Sequence, residues 1–210
     1  STGSPMSADT CRSLQHRFPN TQVISLSGGT DVCTAFVGGH PEMKVTPGEI
    51  QCKMLGAPVE VWNTHGDKIL NQAGELVLSK PFLSMPIGLW GDPDNRLMQA
   101  SYYGVYQQVW NHGDWATEND SGSFIIHGRS DATLNRQGVR IGTAEIYNTL
   151  NTREDIKDGL VIHLTNDKQD YLLLFVVAKA EINEKEIRAQ LREQCSPRHV
   201  PDHIICVPDI

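Results

Sequence analysis

The sequence predicts a mixed α/β (α+β) fold in two parts, a β-rich part over residues 1–130 and a small α/β part over residues 131–210. Three observations carry this. Between Gly48 and Ser79 the chain reads as short strands separated by turn chemistry. From Thr143 onward helical and strand-like segments alternate, as in a small α/β unit. The 210 residues can bury a sizeable core and count as one or two domains, and no run of roughly 18 apolar residues suggests a membrane span.

Ser7 to Arg17 reads as a short helix with Ser7 as N-cap, ending before Pro19. Gln22 to Leu26 reads as a buried strand that delivers Ser27-Gly-Gly-Thr-Asp31 to a loop. Gly48 to Leu55, Val59 to Trp62 and Glu75 to Ser79 are strand-like, with turns at Gly56-Ala-Pro58 and Thr64-His-Gly-Asp67. Pro81 to Gly104 is rich in Pro and Gly and yields one helical candidate, Leu97 to Tyr102. Ser123 to His127 is a further strand. After a boundary near Asp131 come a helix from Thr143 to Leu150, strands at Leu160–Leu164 and Tyr171–Ala178, a charged helix from Asn183 to Gln194, and a strand at Ile204–Val207. Trp62, Trp90, Trp110 and Trp115 read as packing residues.

A formal net charge of -7 argues against nucleic-acid binding, which needs clustered Lys and Arg. The 5 cysteines are odd in number and widely spaced, without a C-x-x-C pair. Reduced thiols and a cytoplasmic location are therefore expected. The 8 histidines lack metal-ligand spacing, so no structural zinc is expected. Ser1-Thr-Gly-Ser-Pro5 has neither the basic start nor the apolar centre of a signal peptide and reads as a cut inside a longer polypeptide.

Three segments carry candidate chemistry. In Ser27-Gly-Gly-Thr-Asp31 the glycines Gly28 and Gly29 permit backbone conformations closed to other residues and let a ligand approach the main chain. Thr30 offers a hydroxyl to a phosphate, and Asp31 offers hard oxygen to Mg²⁺. In His112-Gly-Asp114 the carboxylate has two acceptor oxygens, which suit the two donors of a vicinal diol. The run from Gly128 to Ile146 contains Arg129 and Arg140, fixed cations suited to phosphate or ribose oxygens. Taken singly, each has a plain alternative: a glycine turn with a capping Thr, a Gly-Asp turn, surface arginines. Three ordered motifs of different chemistry are hard to produce by chance.

In that order, Ser27-Gly-Gly-Thr-Asp31, Trp110-Asn-His-Gly-Asp-Trp115 and Gly128-Arg-Ser-Asp-Ala-Thr-Leu-Asn135, with Gly48-Glu-Ile-Gln51, resemble the motifs of the adenylate-forming superfamily, and within it those of acetoacetyl-CoA synthetases. The resemblance implies a fragment of an acyl-CoA ligase. Residues 1–130 would be the C-terminal part of the large AMP-binding domain, and 131–210 a truncated form of the small mobile domain. It implies ATP, Mg²⁺ and CoA as cofactor and substrates, a small carboxylic acid as the partner, and neither nucleic acid nor membrane.

By the same resemblance Gly3, Ser4 and Pro5 lie against the adenine, Gly28 and Gly29 belong to the nucleotide-binding set, Thr30 contacts the α-phosphate, and Asp31 takes the place of a metal-binding Glu. Asp114 and Arg129 go to the ribose and Arg140 to the phosphates. Asp131 is the hinge of the small domain, and Gly138 lines the pantetheine tunnel. Thr30, Asp131 and Arg140 are the expected catalytic set. Ser27 departs from the pattern, since many relatives carry an aromatic there that stacks on adenine. The family's phosphate-gripping loop and catalytic lysine would lie before Ser1 and after Ile210, so the 210 residues alone are expected to be inactive. A ligase for acetate, propionate or a similar small acid, and a truncated non-catalytic nucleotide-binding module, are the alternatives.

Overall fold

The computed structural model describes residues 1–131, 133–136, 139–166 and 169–210, with residues 135, 139, 140, 165, 166 and 169 described by their backbone alone. They fall into two units, Ser1–Asp131 and Ala132–Ile210.

In the first unit, helix α1 (Ala8–Arg17) starts where a cap is available. Ser7 is extended, and its hydroxyl accepts the Thr10 N–H at 3.1 Å. Asp9 in the first turn and Arg17 in the last complement the helix dipole, and the helix stops at Phe18, before Pro19. Ser7→Ala is expected to lower stability by about 1 kcal/mol, seen as a lower urea midpoint at an unchanged slope.

Residues 22–26 do not form the expected strand. Their backbone bonds single groups instead of a ladder: Val23 N–H donates to Gln15 Oε1 at 3.2 Å and Leu26 N–H to the Ser1 carbonyl at 3.0 Å. Gln22 is exposed and Val23 to Leu26 are half-buried, not buried. Strand begins one residue later, at β1 (Ser27–Gly29). β1 pairs antiparallel with β2 (Thr34–Gly38), which pairs with β3 (Cys52–Lys53), the part of the expected Gly48–Leu55 strand that joins a sheet.

A second sheet runs antiparallel in the order β4 (Val59–Trp62), β5 (Ala73–Leu78), β6 (Trp110–Glu118), β7 (Phe124–Arg129). The expected turn after β4 is built by Asn63, whose Oδ1 accepts from the N–H groups of His65 and Asp67 at 2.9 and 3.0 Å. Val32, Phe36, Val37, Val61, Leu76, Leu78, Trp110 and Phe124 fuse the two sheets into one core, each at most 1% exposed. Burying each such side chain is worth about 1.5–3 kcal/mol. Helix α2 (Arg96–Tyr102) adds Met98 to this core. Trp110 and Trp115 pack as expected, but Trp90 does not: it lies in the irregular segment before α2 and is fully exposed.

In the second unit, β8 (Leu134–Arg136) and β9 (Val139–Ile141) form an antiparallel hairpin. Helix α3 (Thr143–Asn151) and helix α4 (Glu184–Gln194) flank the sheet formed by β10 (Ile156–Asn166), β11 (Gln169–Ala178) and β12 (His203–Cys206). β10 and β11 are antiparallel, β11 and β12 parallel. Alternation along β11 sends Leu172, Leu174 and Val176 inward against Ile146, Leu150, Ile187 and Leu191. Asn183 caps α4 by accepting the Lys185 N–H at 3.1 Å. Arg136 donates to the Val200 carbonyl at 2.5 Å and to Asp202 Oδ1 at 2.6 Å, tying the β8–β9 hairpin to the approach to β12.

Candidate functional site

A cavity of about 510 Å³ lies wholly within the first unit. β1 supplies Ser27, Gly28 and Gly29, the turn after it Thr30 and Asp31, β6 supplies His112 and Asp114, and β7 supplies Arg129. Gly3, Ser4 and Pro5 close another side. The fold therefore gathers the three short segments near residues 3, 28 and 114, with Arg129, around one space.

The carboxylate of Asp114 is the centre of the polar network. The residue is 8% exposed, and a buried carboxylate needs donors. Ser27 Oγ donates to Oδ2 at 2.5 Å, a charge-assisted length. Arg129 Nη1 stands 3.5 Å from Oδ1 while donating to the His112 carbonyl at 3.1 Å. Gly113 permits this: its φ is +83°, and a Cβ there would lie 2.6 Å from Arg129 Nη2.

His112 is also buried, edge-on to Phe36, with ring centroids 4.6 Å apart. Its Nε2 faces the Gly28 carbonyl at 3.1 Å, so Nε2 carries the proton in the neutral ring. Burial, aided by Arg129 and opposed by Asp114 and the Gly28 carbonyl, holds the imidazole below its ordinary pKa. It is neutral at pH 7, and Asp114 faces no full charge from it.

Gly28 and Gly29 turn out to be required by space and not by backbone angle. Neither adopts a positive φ. A Cβ on Gly28 would lie 2.1 Å from the Thr34 carbonyl oxygen, and one on Gly29 would lie 2.9 Å from His112 Cε1. The expectation of special backbone conformations is thus corrected: these glycines let β2 and the His112 ring approach.

Asp31 sits in the exposed β1–β2 turn. Tyr102, at the end of α2, donates its hydroxyl to Asp31 Oδ2. The phenol stacks on Trp110 with centroids 3.7 Å apart and an 11° interplanar angle. Burial first, then the Asp31 carboxylate, push its pKa up to about 12, so it stays a donor at neutral pH. The sequence gives no sign of Tyr102 as part of this site, and it places Ser27 and His112 within the motifs without showing their hydrogen bonds to Asp114 and Gly28. No spacing links Tyr102 to Asp31, 71 residues away.

Asp131 lies outside the cavity. It is exposed at the end of the first unit, 3.4 Å from Arg129 Nε. Arg140 is placed by its backbone in β9, opposite Asn135; its side chain, like the whole of Gly138, lies outside the described residues. Among the described residues no three His, Cys, Asp or Glu side chains cluster as a metal site. A single exposed carboxylate such as Asp31 does suit Mg²⁺, which keeps its waters and shares substrate phosphates with one or two carboxylates.

The architecture is that of the adenylate-forming enzymes. A benzoate CoA ligase from Burkholderia xenovorans superposes over the whole chain at TM-score 0.79 and 19% identity, covering 42% of that chain, and ATP-bound MatB from Rhodopseudomonas palustris does so at 0.82 and 18%, covering 41%. Within that class the chain is homologous over its whole length to acetoacetyl-CoA synthetases. It is 43% identical to the enzyme of Rhizobium meliloti and 37% identical to that of Xenopus tropicalis. The acetoacetyl-CoA synthetase of Streptomyces lividans superposes at TM-score 0.89 with 41% identity. The chain spans about a third of the length of these relatives, 33% of the first and 32% of the second. No family model matches it.

Proposed function

We propose that the polypeptide carrying this chain is an ATP-dependent acyl-CoA ligase that converts acetoacetate, CoA and ATP into acetoacetyl-CoA, AMP and diphosphate through an acyl-adenylate. The observation that carries the reading is the convergence of Gly28, Gly29, Thr30, Asp114 and Arg129 on one cavity around a buried carboxylate. Homology to acetoacetyl-CoA synthetases supports the choice of acid.

In this reading Gly3, Ser4 and Pro5 lie against the adenine, and Asp114 accepts from both ribose hydroxyls with Arg129 beside it. Thr30 donates to the α-phosphate, and Arg140 neutralises phosphate charge. Asp31 holds Mg²⁺, which would neutralise phosphate charge, and Tyr102 keeps that carboxylate turned toward the cavity. Asp131 is the hinge through which the small unit turns between the two half-reactions, and Gly138 leaves room for the pantetheine arm. The protein's work is positioning and charge neutralisation. The same reading places the protein in the cytoplasm, the compartment that keeps thiols such as its 5 cysteines reduced.

The test is thioester formation by the full-length polypeptide offered acetoacetate, acetate and propionate. Preference for acetoacetate supports the reading, preference for acetate or propionate moves the protein to another short-chain ligase, and no product with any acid leaves a non-catalytic nucleotide-binding module. The 210 residues alone are expected to catalyse no ATP–pyrophosphate exchange. None of Lys157, Lys168, Lys179 or Lys185 stands in the sequence context of the family's catalytic lysine, and exchange by the isolated chain would overturn that expectation.

A further inference from the structure

We propose that Ser27 is a positioning residue for nucleotide selection: its hydroxyl fixes the Asp114 carboxylate in the orientation that reads a ribose diol. The inference rests on the reading of Asp114 as the ribose acceptor. It starts from a residue that cannot stack on a base and therefore needs another reason to line the cavity.

Ser27 is 9% exposed and Asp114 8%, so the Oγ to Oδ2 bond of 2.5 Å is made largely away from water. A hydroxyl has one proton to give, and here the carboxylate receives it. The other groups around Asp114 are poorer locks. Arg129 Nη1 is 3.5 Å from Oδ1 and bonded to the His112 carbonyl, and its side chain is 52% exposed. His112 Nε2 is 3.8 Å from Oδ2 and directed at the Gly28 carbonyl.

Ser27 thus holds the plane of the carboxylate from the neighbouring strand β1, 87 residues away in sequence. With Oδ2 anchored, Oδ1 is the oxygen free to accept at a fixed angle. The lone pair left on Oδ2 takes the second hydroxyl. β1 holds Ser27 itself in place, because Gly28 packs so tightly on β2 that the strand has no room to shift.

The experiment compares the full-length protein with Ser27→Ala, Ser27→Thr and Asp114→Ala, using ATP, 2′-deoxy-ATP and 3′-deoxy-ATP as probes. For Ser27→Ala the KM for ATP is expected to rise about tenfold, as for loss of one hydrogen bond to a charged group, with a much smaller change in kcat. The preference for ATP over both deoxynucleotides is expected to fall with it. Ser27→Thr, which keeps the hydroxyl, is expected to restore that preference. A structural role alone would lower thermal stability while leaving the preference intact. If Asp114→Ala abolishes the preference and Ser27→Ala leaves it at the wild-type value, the inference is overturned and the ribose reading stands. If Asp114→Ala itself leaves the preference unchanged, both fall.

Discussion

Asp114→Ala in the full-length protein is expected to cut kcat/KM for ATP by on the order of 10²–10⁴-fold. Two hydrogen bonds from a ribose diol to a charged acceptor are worth about 1.5–3 kcal/mol each, and every ~1.4 kcal/mol is tenfold. The effect should not be mistaken for unfolding. Removing the carboxylate frees Ser27 Oγ at the cavity wall, where water can reach, and leaves the Arg129 to His112 carbonyl bond in place. Asp114→Asn is the sharper variant. It keeps size and one acceptor oxygen, so its loss should be intermediate. Circular dichroism checks the fold and steady-state kinetics check the effect; wild-type kcat/KM in a folded Asp114→Ala protein would remove Asp114 from the nucleotide site.

The parts of the fold that could be read in advance are those whose stability is local. α1 and α4 carry their own caps in Ser7 and Asn183, and β11 carries its own alternation in Leu172, Leu174 and Val176. β6 could not be read that way. Asn111, His112, Asp114 and Glu118 are all buried in it, a pattern that no period-2 rule marks as a strand. They are buried because distant partners satisfy them: Ser27 for Asp114, the Gly28 carbonyl for His112, Lys53 for Glu118 at 2.7 Å. Such a strand exists only in the folded state, and propensity cannot report it.

The candidate site divides in the same way. Thr30, Asp31, Asp114 and Arg129 stand in motifs that a reader of the sequence can recognise, because their chemistry is tied to short spacing. Tyr102 stands in no motif, and Ser27, although it opens one, bonds a carboxylate 87 residues away that nothing in its neighbours announces. The failed strand at residues 22–26 has the opposite cause. Val23-Ile-Ser-Leu26 has strand composition, but its backbone bonds Gln15 Oε1 and Ser1 in place of extending the β1–β2 ladder, so half-burial and isolated hydrogen bonds are what it attains.

Gly28→Ala is expected to destabilise the chain by about 3 kcal/mol, the upper part of the usual range for overpacking a tight interior, and to abolish nucleotide binding with it. The three atoms nearest the added methyl are the Thr34 carbonyl oxygen at 2.1 Å, Ala35 Cα at 2.5 Å and the Thr34 carbonyl carbon at 2.8 Å. All are backbone, so no rotamer change relieves the contact, and β1 must move away from β2. That movement pulls on both hydrogen bonds between β1 and β6, since Ser27 precedes the substituted residue and the Gly28 carbonyl receives His112 Nε2–H. Loss of stability and loss of binding should therefore appear together in one variant, in contrast to Asp114→Ala, where binding fails in a folded protein. Gly88→Ala is the control: its Cβ meets nothing closer than Asn95 Oδ1 at 3.4 Å and its φ is not positive, so a change within about 0.5 kcal/mol is expected. Urea denaturation of the three proteins side by side decides it, and a Gly28→Ala midpoint equal to that of Gly88→Ala would show that β1 and β2 are not in such close contact.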